Sequence, residues 1–296
     1  MTSNESNCIW YTTKRFGDDA LALIGQANVI IDEYVKRGYP LTLRQLYYQF
    51  VSRDLLPNKI ASYNRLGSVI SDARLAGLVS WTAIEDRGRN LMGLRTVASP
   101  ADAIRAARDS YRLDLWADQR YRPEVWVEKQ ALEGVIAVAC NRLRIDYYAT
   151  KGYDSQSQAW RAGQRMAQYV RRGQRPVVFH LGDHDPSGID MTRDIGDRLT
   201  LFTGVPVMVV RLALNRDQVD RYDPPPNPAK MTDSRAAAYV EEHGESSWEL
   251  DALNPEIIHG LIEDAVSKLR DEDAWSAALA REAADKTAMD DMMEDL

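Results

Sequence analysis

The stretch Val177–Met191, VVFHLGDHDPSGIDM, decides how the rest of the chain is read. Val177–Leu181 is a short apolar, β-prone run, Gly182 ends it, and apolar spacing typical of a helix resumes from Ile189 to Leu201. Two aspartates, Asp183 and Asp185, stand just past the predicted strand. Alternate residues of an extended segment point the same way, so both can face one site across His184. Gly188 allows the backbone to turn tightly into the following helix, whose amino end favours anions.

Outward from this stretch the same rhythm repeats. Strands are expected at Val125–Glu128, Asp146–Thr150 and Val205–Leu212, with helices at Ala131–Leu143 and Ser157–Arg171 between them. Alternation of this kind predicts the α/β class, a mostly parallel sheet covered by helices. In open sheets ligands gather beyond the carboxyl ends of the strands, which brings Glu128, the last residue of its strand, toward Asp183 and Asp185. Three hard oxygen donors suit Mg²⁺, which keeps water and bridges to phosphate. Taken singly, Asp-x-Asp-Pro is more often a capped turn, and a strand-end Glu is ordinary. Their combination within one α/β unit is what a carboxylate metal clamp requires. Of the two nearby histidines, His180 alternates into the strand core and His184 points away from the acids.

The flanks differ in character. Asp18–Arg37 has the spacing of one amphipathic helix, which Gly38–Tyr39–Pro40 ends; Thr42 caps a second helix, and a third runs from Tyr63 to Gly77, where the glycine suits a C-cap. Extended pieces at Val79–Ile84 complete a pattern typical of winged-helix or helix-turn-helix modules. A basic helical connector follows. The expected division is a winged-helix module over 1–99, the connector over 100–122, and the α/β unit with its C-terminal helices over 123–296. Tyr222–Pro228, YDPPPNP, reads as a loop. Helices are expected near Ser234–His243, Pro255–Leu269 and Asp273–Ala284, and the acidic residues Met289–Leu296 are expected to fray.

The chain of 296 residues has a net charge of -7, unevenly spread. Residues 1–175 carry 26 Lys+Arg against 18 Asp+Glu, and residues 176–296 carry 11 against 26. A basic amino-terminal half and an acidic remainder are compatible with a DNA-facing surface on the former. No run approaches the ~20 apolar residues of a membrane span. Met1–Asn7 lacks the features of a secretory signal, and Cys8 and Cys140 are isolated, so an intracellular, cytoplasmic location is expected. No Gly-x-x-x-x-Gly-Lys-Ser/Thr phosphate loop occurs.

VWVEKQALEGV (125–135), ATKGYDSQSQAWR (149–161) and FHLGDHDPSGIDM (179–191) resemble the three signature segments of the Toprim domain. Their order, and the WELDAL segment at 248–253, most closely resemble the A subunit of topoisomerase VI and the related meiotic recombination endonuclease, in a compact version. The resemblance spans roughly Thr42 to Leu201. That family carries a nucleophilic tyrosine on its amino-terminal module, in a motif resembling Thr-x-Arg-acid-x-Tyr-Tyr. Here the segment is TLRQLYYQF (42–50), so Tyr48 maps onto the nucleophile and Arg44 onto the arginine, with Gln45 in place of the acid.

What the resemblance implies is a double-strand DNA-cleaving transesterase that forms a 5′-phosphotyrosyl link. Glu128, Asp183 and Asp185 would hold Mg²⁺, and Glu128 would coordinate metal or shuttle the leaving-group proton. The resemblance also implies a homodimer in which one protomer's Tyr48 serves the other's metal site, with any ATPase on a separate chain. A free phenol is a poor nucleophile near neutrality, and Arg44, four residues before Tyr48, lies on the same helical face to hold a phosphate or favour the phenolate. Lys151 and Arg161 are the best candidates for phosphate contacts; Arg74 is a weaker one, with Arg65, Arg87, Arg89 and Arg95. Two readings remain beside this one: a hydrolytic Toprim nuclease without the tyrosine, and a non-catalytic DNA-binding protein.

Overall fold

The structure, a computed structural model, describes residues 8–36, 41–84, 96–229, 233 and 235–294. Its centre is a four-stranded, wholly parallel sheet in the order β2-β1-β3-β4, with β1 at Tyr121–Val127, β2 at Asp146–Ala149, β3 at Arg175–Leu181 and β4 at Met208–Ala213. The α/β expectation is met at this level. Two prolines lie in the inner strands where they do least harm. Pro123 precedes the first β1–β2 pair, Glu124 with Asp146, and Pro176 precedes the first β3–β4 pair, Val177 with Met208. A proline contributes no ladder hydrogen, so each occupies the strand start, before the third strand joins.

Alternation sends side chains to two separate cores. Val125, Val127, Val177, Phe179 and Leu181 face a large cluster closed by α5 (Glu133–Arg142), α10 (Pro255–Ser267) and the segment bearing Leu115 and Trp116. Trp126 and Val178 face the other side, under α6 (Gln156–Arg171) and α7 (Pro186–Thr203). Burying side chains of this size stabilises the layer by roughly 1.5–3 kcal/mol each.

The amino-terminal part is a separate core of three helices, α1 (Asp18–Lys36), α2 (Leu43–Ser52) and α3 (Ile60–Leu75). Every residue of α2 from Gln45 to Val51 is buried, because the helix lies between its neighbours and the turn at Leu250–Ala252; Ala252 belongs to the same core. Gln45, which departs from the family pattern, completes a capping box: Thr42 Oγ1 accepts from Gln45 N, and Gln45 Oε1 accepts from Thr42 N at 2.9 Å. Gly77 follows α3 at φ +71°, a conformation that glycine adopts without strain. The β element expected at Val79–Ile84 is not a strand; among the described residues it makes one isolated bridge, Leu41 with Ile84.

Three other expectations need correction. The connector is helical only as α4 (Pro100–Ser110), and β1 begins inside its expected range, at Tyr121. Tyr222–Pro228 is not wholly loop: α8 (Arg216–Tyr222) runs into it, and β5 (Asn227–Pro228) pairs with β6 (Ser246–Ser247). The acidic end does not fray at Met289, because α11 extends over Glu272–Glu294 after α9 (Ala236–His243) and α10. Arg108 of α4 holds Asp290 at 2.8 Å, and Tyr111 donates to Asp285 at 2.6 Å, tying the connector to that last helix.

Candidate active site

Glu128 and Asp183 lie at the carboxyl ends of the adjacent strands β1 and β3. Asp183 N donates to Glu128 Oε2 at 3.0 Å, which fixes the two loops together. Asp185 is the N-cap of α7 and accepts from Gly188 N at 2.6 Å. Gly188 is required by close approach: a Cβ there would lie 2.2 Å from the Asp183 carbonyl oxygen. Arg211, from β4, secures the loop from behind, with Nη2 donating to the Asp183 carbonyl at 2.6 Å and Nη1 to the Gly188 carbonyl at 2.7 Å. Burial lowers its pKa to about 10.

The three acids form one negative neighbourhood. Burial, together with the charges of Asp183 and Asp185, pushes Glu128 up to about 7. This is the behaviour of a donor set that a divalent cation would relieve, and three carboxylates suit Mg²⁺. As the side chains stand, though, among the described residues no three His, Cys, Asp or Glu converge as a metal-ligand group. Asp183 is engaged by Lys129, with Nζ 2.9 Å from Oδ2, and by Leu250 N, 2.8 Å from Oδ1. A carboxylate oxygen has two lone pairs, so these bonds leave acceptor capacity on each acid.

The WELDAL segment supplies what the strand-end acids do not. It is held by a bridge between His184 and Trp248, and it presents Glu249 and Asp251 to the amino-terminal helices. Tyr48 donates to Glu249 Oε2 at 2.6 Å. Arg44 Nη2 bonds the same oxygen, and its Nε lies 2.8 Å from Asp251 Oδ2. Lys129 Nζ is 3.1 Å from Glu249 Oε2 and 3.1 Å from Asp251 Oδ1. An unbroken polar chain thus runs from Tyr48 through Glu249 and Lys129 to Asp183, within one protomer. The resemblance, by contrast, implied that the tyrosine serves the partner's acids.

The electrostatics follow from these contacts. Burial alone would raise Glu249, but Lys129, the Tyr48 hydrogen bond and Arg44 hold it down at about 2. Burial, the Asp251 charge and the bond to Glu249 all push the Tyr48 phenol above its ordinary range. The tyrosine is therefore held protonated. It is only 5% exposed, at the edge of a cavity of about 430 Å³ whose lining includes Arg44, Tyr47, Lys59 and Tyr63. Tyr47 is the packing member of the pair, with its hydroxyl bonded to the Lys59 and Pro57 backbone and its ring edge-on to Tyr63.

The expected DNA-contacting residues divide. Lys151 is exposed at φ +59°, two residues past β2, and Gly152 N next to it donates to the Glu128 carbonyl at 3.3 Å, so Lys151 borders the acids. Arg161 does not; it lines a different cavity with Glu124, Asp146 and Arg165, on the β2 edge away from the carboxyl ends. Arg74 is engaged locally: its guanidinium donates to the Trp81 and Ile84 carbonyls at 2.5 and 2.9 Å and lies over the Trp81 ring, bracing that segment. Arg65 is exposed near Asp19, and Arg87, Arg89 and Arg95 lie outside the described residues. His180 is fully buried against Thr192, and burial lowers its pKa to about 3. His184 turns to Tyr239 at 2.8 Å, away from the acids.

Sequence reasoning missed Lys129, Arg211, Glu249 and Asp251 as site residues. A signal existed for each: Lys129 follows Glu128 directly, Arg211 is a lone charge in an apolar strand, and the other two are acids of a segment singled out only for its familiarity. No protein-family model, curated protein or solved structure matches this chain. Among the described residues, no helix is long and apolar enough to cross a membrane.

Proposed function

We propose that this chain is a Mg²⁺-dependent enzyme that cuts double-stranded DNA by transesterification through Tyr48, in the manner of the topoisomerase VI A subunit. In this reading the three amino-terminal helices serve as a winged-helix module and the α/β unit as a Toprim domain. The observation that carries the proposal is the polar chain from the Tyr48 hydroxyl through Glu249 and Lys129 to Asp183. It joins a tyrosine of the amino-terminal helices to the acids at the carboxyl ends of the parallel sheet.

Arg44 takes the scissile phosphate, for which its planar fork is suited. Glu128, Asp183 and Asp185 would hold Mg²⁺, which when bound supplies positive charge against the phosphorane-like transition state. Lys151 contacts a flanking phosphate. The enzyme works as a homodimer, one active centre per strand, and any ATPase belongs to a separate chain. A second reading, a hydrolytic nuclease on the same acids, draws on one observation: the Tyr48 hydroxyl is committed to Glu249 and its ionisation is opposed.

Incubation with supercoiled DNA and Mg²⁺, followed by denaturation, separates the readings. Protein covalently attached to broken ends supports transesterification. Broken ends without protein support hydrolysis. Binding without breakage, across divalent metals, leaves a DNA-binding protein.

A further inference from the structure

Glu249 Oε2 is the shared acceptor of three donors: the Tyr48 hydroxyl, Arg44 and Lys129. Glu249 lies outside the three signature segments, yet it accepts directly from the proposed nucleophilic atom. Two cations on one carboxylate oxygen make that carboxylate a weak base, and a weak base that accepts from a phenol holds the phenol neutral. The same geometry contains the means of release. Arg44 is 45% exposed, opens on the 430 Å³ cavity beside Tyr48, and is the donor best suited to a phosphodiester.

We propose that Glu249 is a substrate-released catch on Tyr48: without DNA it holds the phenol protonated, and when a phosphodiester takes Arg44 from it, it accepts the phenol's proton. The inference rests on the reading of Tyr48 as nucleophile. The step balances without a co-reactant. The Tyr48 proton passes to Glu249, the Tyr48 oxygen–phosphorus bond forms, and the bond from phosphorus to the 3′ oxygen breaks. That oxygen takes a proton from water, and Glu249 returns its own to water. The charged groups facing the pair are Arg44 from α2, Lys129 after β1, Asp183 after β3, Asp251 from the same turn, and Lys59 across the cavity. Of these only Arg44 and Lys59 stand at the cavity wall, where a phosphate arrives.

Glu249→Gln tests this, because the amide oxygen still accepts from Tyr48 but cannot take its proton. In single-turnover formation of the covalent adduct near pH 7, the variant is expected to lose on the order of 100-fold in rate, the scale of a lost general base. DNA affinity should not fall, because Arg44 no longer has to leave a carboxylate to take the phosphate. The defect should shrink as pH rises, because hydroxide then takes the Tyr48 proton in place of Glu249. A variant as fast as wild type, or a defect equal at every pH, overturns the proposal. Glu249→Asp, which restores a carboxylate, should recover part of the rate at neutral pH.

The nucleophile reading fails separately, if the wild type gives no adduct and Tyr48→Phe cuts equally well. The catch is then decided without activity, by titrating ¹³C-labelled tyrosine rings, with Tyr48→Phe used to assign the signal. Ionisation of Tyr48 at lower pH in Glu249→Gln than in wild type supports the catch, and an unchanged titration overturns it.

Discussion

The hydroxyl of Tyr48 lies 2.6 Å from Glu249 Oε2, joining residues 201 positions apart in the sequence. The contact depends on two placements. The buried α2 carries Arg44 and Tyr48 on one face, and the WELDAL turn is pinned between that helix and the loop after β3. The amino-terminal helices and the sheet therefore meet at a set of charges rather than at a purely apolar seam.

Removing Arg44 should be costly even without DNA. Arg44→Gln leaves Asp251, which is 3% exposed, with one cation fewer. Losing one partner of a fully buried pair costs about 3–5 kcal/mol, and the partial exposure of Arg44 reduces this to about 1–2 kcal/mol. Thermal unfolding should show a lower Tm, with an unchanged helical spectrum at room temperature.

Glu128 should make the protein less stable as pH rises. Its folded pKa of about 7 lies above the value of an unfolded glutamate, so the penalty is absent below about 4.5, grows between there and 7, and is complete above 7. Glu128→Gln, which keeps an acceptor for Asp183 N, should therefore be stabilising at pH 8 by up to about 3 kcal/mol and neutral near pH 4.5. Denaturant unfolding at the two pH values measures the difference. Glu249 has the opposite sign. Its folded pKa of about 2 is depressed, so its contribution is present above about 4.5 and lost as pH falls toward 2.

If Mg²⁺ binds at Glu128, Asp183 and Asp185, adding it at pH 8 should raise Tm, since a ligand of the folded state stabilises by about 2.7 kcal/mol at one hundred times its Kd. Asp183→Asn should abolish the rise, whereas Arg161→Ala, on the other cavity, should leave it intact. Calorimetry with and without the ion provides the comparison.

Much of the fold was legible because its signals are local. Periodicity of two and of 3.6 located the four sheet strands within four residues, and Thr42 marked the start of α2. The site was legible in part: Glu128 and Asp183 meet because strand ends meet in a parallel sheet. What was not legible is set by distant packing. Nothing near Tyr48 in the sequence indicates that residue 249 arrives beside it. Likewise Arg74 looks like any helical arginine until the carbonyls of Trp81 and Ile84 are seen to claim it. Residues 79–84 have strand-like composition but no partner ladder among the described residues, so their backbone remains irregular.

Gly188→Ala is a structural test of the acid loop. The added Cβ would meet the Asp183 carbonyl oxygen at 2.2 Å, and backbone cannot yield as a side-chain tip does. A cost of about 1–3 kcal/mol is expected, with loss of any Mg²⁺-dependent rise in Tm, because Asp183 and the start of α7 must separate.

The central claim is that Tyr48 becomes covalently joined to DNA, and its most direct test is mass spectrometry of the protein after reaction with DNA and Mg²⁺ and nuclease trimming. The account predicts that the peptide containing Tyr48 carries a 5′-phosphate-linked nucleotide, absent without Mg²⁺ and absent in Tyr48→Phe. DNA cut with the Tyr48 peptide unmodified, or a nucleotide found on another residue, would contradict it.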